Sequence, residues 1–175
     1  MKKLSLRDWF VTLFVGGLLL VIAYIWLSPT GVQPAPDLKV SVFNSERTID
    51  LKALQGRPII VTFWSTSCVG CLREMPHLIE LYDELAPKGL EIIGVALSTD
   101  RPDHVLEMQK QRQIPYPIVY DSLNEAARAF GGVTLTPTTF LINPQGQIVK
   151  QKLGEMDMKL LHAQIVTMLS SKKQS

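Results

Sequence analysis

The chain has 175 residues, of which 46% are hydrophobic and 19% charged. That balance suits one packed domain with an appendage and excludes a disordered chain. A net charge of +2 with no basic stripe argues against nucleic acid as a partner, and two cysteines are too few for a disulfide scaffold.

Residues 1–8 carry Lys2, Lys3 and Arg7, a basic flank expected to stay in the cytoplasm. From Trp9 to Leu27 no residue is charged. That run of about 19 residues is long enough to cross the hydrocarbon core as a helix. Trp9 and Phe10 at one end and Tyr24 and Trp26 at the other resemble an interfacial aromatic belt. A cleaved signal peptide would have a shorter apolar core and a small-x-small site, whereas this segment ends in Tyr24-Ile25-Trp26-Leu27. The expectation is an uncleaved, single-pass signal anchor over 9–27. The rest of the chain would then face the periplasm or cell exterior. Residues 28–37 hold Pro29, Gly31, Pro34 and Pro36 and are expected to form an extended tether. The folded domain is expected over 38–175.

Within that domain, Leu38–Phe43 alternates and reads as an edge strand, with Thr48–Leu51 as its partner. Gln55-Gly56-Arg57-Pro58 is a turn. Ile59-Ile60-Val61-Thr62-Phe63 reads as a buried parallel strand. Leu72, Met75, Leu78, Ile79, Tyr82 and Leu85 then recur at helical spacing, with Pro76 expected to kink that helix. Leu90–Leu97 is a second apolar strand. Asp103–Gln113 reads as a polar helix, Pro117–Tyr120 as a short strand, and Leu123–Phe130 as a short helix ended by Gly131-Gly132. Thr138–Ile142 and Gln147–Lys152 flank an Asn143-Pro144-Gln145-Gly146 hairpin turn. Met156–Leu169 is an amphipathic terminal helix. This order predicts an α/β sandwich on a mixed sheet.

Both cysteines lie in one stretch, Cys68-Val69-Gly70-Cys71, where the first core strand ends and a helix begins. The first turn of a helix offers free N–H groups and the positive end of its dipole, so a thiolate at Cys68 is stabilised. Cys71 lies one turn on, near enough to resolve a mixed disulfide. A dithiol that cycles between reduced and oxidised forms follows, with no further cofactor. A zinc site needs a second ligand pair, and His77, His104 and His162 are scattered. A purely structural disulfide over so short a loop would remove little chain entropy.

The strand ending in Phe63-Trp64, the C-x-x-C at a helix start, Pro76 beyond it and Thr136-Pro137 ahead of a hairpin strand resemble the thioredoxin superfamily. Phe63-Trp64-Ser65-Thr66-x-Cys68, Cys71-x-x-Glu74-x-Pro76 and Thr136-Pro137-Thr138-Thr139-Phe140-Leu141-Ile142-Asn143-Pro144-x-Gly146 resemble its membrane-anchored TlpA/ResA/DsbE group. The resemblance covers about residues 38–170 and implies a thioredoxin-like fold. It implies Cys68 as nucleophile, Cys71 as resolving thiol and Pro137 as a cis-proline facing the disulfide. Thr136 would then turn its backbone toward a substrate strand, Trp64 would pack at the site, and Glu74 would oppose thiolate formation or relay a proton. A solvated helix charge at Glu74 and a plain core role for Trp64 are the alternatives. His77 reads as a surface helix residue.

The implied activity is a tethered extracytoplasmic thiol–disulfide oxidoreductase that reduces partner-protein disulfides, as in cytochrome c maturation. A membrane thiol transporter would supply its electrons. Two features depart from the pattern of thioredoxin proper: Thr62 stands where that protein buries an Asp, and Val69-Gly70 replaces Gly-Pro. Two rival activities are a peroxiredoxin-type peroxidase and a copper-handling dithiol protein. The peroxidase needs proline and threonine seven and three residues before its cysteine; here those places hold Val61 and Ser65.

Overall fold

The computed structural model describes residues 6–27 and 33–171, which divide into two units between Val32 and Gln33. In the first, Leu6–Leu27 forms a 22-residue helix, α1, whose described side chains, Trp9 through Tyr24, are exposed. Among the described residues no helix is long and apolar enough to cross a membrane, so the spanning anchor expected over 9–27 is not established by α1. Of the cytoplasmic flank expected over 1–8, residues 1–5 lie outside the described residues, as do residues 28–32 of the tether expected over 28–37.

The second unit runs β1 (Gln33–Pro34), β2 (Lys39–Ser41), β3 (Thr48–Asp50), β4 (Ile59–Trp64), α2 (Val69–Leu85), β5 (Glu91–Leu97), α3 (Pro102–Gln111), β6 (Ile118–Asp121), α4 (Glu125–Ala129), β7 (Thr138–Ile142), β8 (Gln147–Leu153) and α5 (Met158–Ser171). Six strands form a mixed sheet in the order β1-β8-β7-β4-β5-β6. β4, β5 and β6 are parallel, while β7 is antiparallel to β4 and to β8. This is a thioredoxin-like α/β fold.

Alternation along β4 sends its side chains to two cores. Ile60 and Trp64 join Leu78, Leu81 and Leu85 of α2 and Leu161 and Ile165 of α5. Ile59, Val61 and Phe63 join Val40 and Ile49 of the β2–β3 ribbon and Ala126 and Ala127 of α4. Covered on both faces, every residue of β4 and β5 is buried, as parallel strands require.

Several boundaries differ from expectation for local reasons. The domain begins before Leu38, because Gln33 pairs with Ile148 and Ala35 N donates to Gly146 O at 2.8 Å. Pro34 is tolerated there because β1 is an edge strand. β2 pairs with β3 as expected, but as a separate ribbon rather than an edge of the main sheet. As expected, Pro76 lies inside α2, at an exposed position. α4 starts later than Leu123, where the Asp121 carboxylate accepts from Ala126 N and Ala127 N at 3.1 and 2.8 Å. α5 starts after Met156, whose N–H is engaged by Glu74.

Candidate active site

Cys68 is the N-cap of α2, with extended backbone (φ −83°, ψ 104°). Its N–H donates to Ser65 O, and its carbonyl accepts from Leu72 N, both at 3.1 Å. Cys71 N donates to Cys68 Sγ at 3.1 Å. The helix end therefore aims an N–H at the sulfur that would carry charge as a thiolate. Cys68 and Cys71 form a disulfide with Cα atoms 5.2 Å apart. Cys71 is buried, while Cys68 is half-buried beside Val69, which is 64% exposed. An incoming sulfur thus meets Cys68 first.

The loop between β4 and α2 is pinned from a distant segment. Asp100 accepts from Thr66 N at 2.5 Å and Thr66 Oγ1 at 2.6 Å, and Tyr120 Oη donates to Asp100 O at 3.0 Å. The pairing spans 34 residues, so nothing local in the sequence signals a role for Asp100.

The Thr136–Pro137 peptide is cis. Pro137 is buried and faces the C-x-x-C turn: a Cβ placed on Gly70 would lie 3.3 Å from Pro137 Cδ. Thr136 is half-buried, precedes β7 and lies outside its ladder, next to Leu135, which is 61% exposed. Pro137 O accepts from Gly154 N at 2.8 Å.

Behind the disulfide is a cavity of about 10 Å³ lined by Thr62, Trp64, Cys71, Glu74, Met75, Leu78, Tyr116 and Pro137. Thr62 Oγ1 and Thr139 Oγ1 pair at 2.9 Å across β4 and β7, so hydroxyls occupy the place where thioredoxin proper buries an acid. Glu74 is the carboxyl of this cavity. It is buried rather than a solvated helix charge, and its Oε1 accepts from Met156 N at 3.1 Å. Burial raises its pKa; the Met156 N–H opposes that rise and the Glu155 charge adds to it. Burial, helped by the Glu74 charge, also holds the Tyr116 hydroxyl above its ordinary range. Trp64 is buried in this wall, and its Nε1–H meets no acceptor among the described residues.

The histidines do not converge on the thiols. His77 faces Glu80 at 3.6 Å and His162 faces Glu84 at 3.1 Å, both pairs at exposed positions. Among the described residues no cluster of three or more histidine, cysteine or acidic side chains is placed to hold a metal ion.

The arrangement can exchange a thiol with a disulfide, and its relatives carry that activity in their names. The AhpC/TSA family matches residues 32–151. The thiol-disulfide oxidoreductase ResA of Bacillus thuringiensis subsp. konkukian (strain 97-27) is 35% identical over 124 residues, 70% of this chain and 69% of that protein. ResA of Bacillus subtilis (strain 168) is 32% identical over 128 residues, 73% of this chain and 70% of that protein. In fold, the chain superimposes on a thiol:disulfide interchange protein of the thioredoxin family from Chlorobium tepidum TLS with a TM-score of 0.73. That match has 24% identity and covers 81% of this chain and 99% of that one. With the C-x-x-C disulfide at the head of α2, these likenesses place the chain in the AhpC/TSA family as a TlpA/ResA/DsbE-like thiol–disulfide oxidoreductase.

Proposed function

We propose that the chain is a membrane-tethered, extracytoplasmic reductant of partner-protein disulfides. The observation that carries the redox step is the asymmetry of the pair: Cys68 half-exposed at the helix end, Cys71 buried behind it. The Cys68 thiolate attacks one sulfur of a partner disulfide, and the other partner sulfur leaves as a thiolate. Cys71, deprotonated, then attacks Cys68 Sγ. This forms the Cys68–Cys71 disulfide and releases the second partner thiol, so two electrons pass to the partner. Pro137 and the backbone of Thr136 receive the partner strand, Trp64 supports the site, and Glu74 exchanges a proton with Cys71. A membrane dithiol then reduces the pair, with cytochrome c maturation as the process served. Periplasmic placement is supported by the uncharged run from Trp9 to Leu27 behind Lys2, Lys3 and Arg7 and by the 22-residue helix α1.

Cys68→Ser is expected to abolish reduction of a disulfide substrate, and Cys71→Ser to trap the mixed disulfide. Normal turnover in Cys68→Ser would refute the mechanism. The potential of the pair decides direction: a value near thioredoxin's, about −270 mV, marks a reductant, and one near −120 mV an oxidant.

A peroxidase is the second reading, favoured only by the AhpC/TSA match. Against it, Val61 packs into the core on the face of β4 opposite that of Trp64, so nothing at that position reaches the cysteine. Peroxide consumption by the reduced chain would revive this reading. Stoichiometric Cu(I) binding with negligible reductase activity would replace both with a copper-handling role.

A further inference from the structure

Arg73 and Glu155 are 82 residues apart in sequence yet meet beside the disulfide. Glu155 Oε1 accepts from Arg73 Nε at 3.1 Å and from Nη2 in a closer contact. Both side chains are well exposed, 63% and 45%, and an ion pair so placed contributes little to folding stability. Its position is more informative. A Cβ on Gly70 would lie 3.4 Å from Glu155 Oε1, so the carboxylate rests against the backbone between the two cysteines. The loop that carries it is held on both sides: Gly154 N donates to Pro137 O at 2.8 Å, and Met156 N donates to Glu74 Oε1 at 3.1 Å. Glu155 therefore has little freedom to move away.

We infer that Arg73 and Glu155 are positioning residues that set how readily the Cys68 thiol ionises, through a carboxylate fixed over Gly70 and a guanidinium that offsets it. This rests on the reading of Cys68 as the attacking thiol. The charged and titratable groups around the pair are Arg73, Glu74 and His77 on α2, Asp100 after β5, Tyr116 before β6 and Glu155 after β8. Asp100 is engaged by Thr66. The Arg73 guanidinium keeps the Glu155 carboxyl below its ordinary range, so Glu155 is anionic wherever thiols titrate. Its field reaches the interior, where it helps to raise Glu74. A bare carboxylate disfavours a nearby thiolate and a bare guanidinium favours it.

The two single substitutions must therefore act in opposite directions. In the reduced full-length chain, titrated by thiolate absorbance, Glu155→Gln is expected to lower the Cys68 thiol pKa by about half a unit, roughly threefold in thiolate fraction. Arg73→Gln is expected to raise it by about the same amount, the double variant to fall between them, and added salt to shrink both shifts. Shifts of one sign in both variants, as a merely structural latch would give, or no shift in either, overturn the inference. Activity of Cys68→Ser tests the redox reading itself, so the two failures are distinguishable.

Discussion

Glu74 shows how one side chain acquires a character that its letter does not carry. A glutamate one turn past Cys71 reads equally as a solvated charge, but here it is buried with a single backbone donor, Met156 N. Burial raises its pKa from the ordinary carboxylate value, and the sign of the consequence follows from linkage. Below the unfolded-state value both states are protonated and Glu74 has no pH-dependent effect. As pH rises through that value toward the raised folded one, the folded chain keeps a proton that the unfolded chain has released. Stability falls across that window and the penalty stays constant above it. Glu74→Gln keeps an acceptor for Met156 N–H and removes the titration. In the oxidised chain, Glu74→Gln is therefore expected to gain stability relative to wild type as pH climbs above about 4.5, read by urea unfolding at several pH values. A constant difference across that range would show that Glu74 is charged and solvated.

Among the elements, β4 and β5 set the floor of the site. Gly94 of β5 lies opposite Thr62 in the β4 register. A Cβ there would lie 2.7 Å from Ile118 Cδ1, 3.2 Å from Tyr116 Cε2 and 3.3 Å from Trp64 Nε1. A glycine that would ordinarily weaken a strand here makes room for Ile118 first, and for Tyr116 and the tryptophan behind the cysteines. Gly94→Ala is expected to destabilise the domain by about 1–3 kcal/mol through overpacking. That would appear as a lower urea midpoint with unchanged m. An unchanged midpoint would mean that Ile118, Tyr116 and Trp64 can move aside. The strand–helix alternation around Cys68 was readable from apolar runs and helical spacing, since each is a local pattern. The loop that docks on it was not. Asp100 meets Thr66 across 34 residues, and Arg73 and Glu74 meet Glu155 and Met156 across 82. Contacts at that separation leave no periodic trace.

For the molecule as a whole, the division between Val32 and Gln33 offers a cut that tests the proposed tether. β1 pairs with β8 from Gln33 onward, so a chain shortened to begin just before Gln33 retains every strand of the main sheet. Such a chain is expected to reduce a soluble disulfide substrate at the full-length rate. Against a membrane-bound partner it loses the gain in effective concentration that a tether supplies, of order a hundredfold or more. Equal rates on the membrane-bound partner would remove the tether from the mechanism.

The sequence by itself determined the order of strands and helices from β2 onward, the apolar faces, and the C-x-x-C at the start of a helix. Each of these is written in near neighbours, through side-chain period, turn residues and helix ends. Only the tertiary structure decided which cysteine is approachable, that Glu74 is sealed against the interior, and that Asp100 meets Thr66 and Glu155 meets Arg73 at the C-x-x-C loop. Exposure and field depend on which distant segments the sheet brings together. A carboxylate has the same formula in water and in a core, and only its surroundings decide whether it is charged.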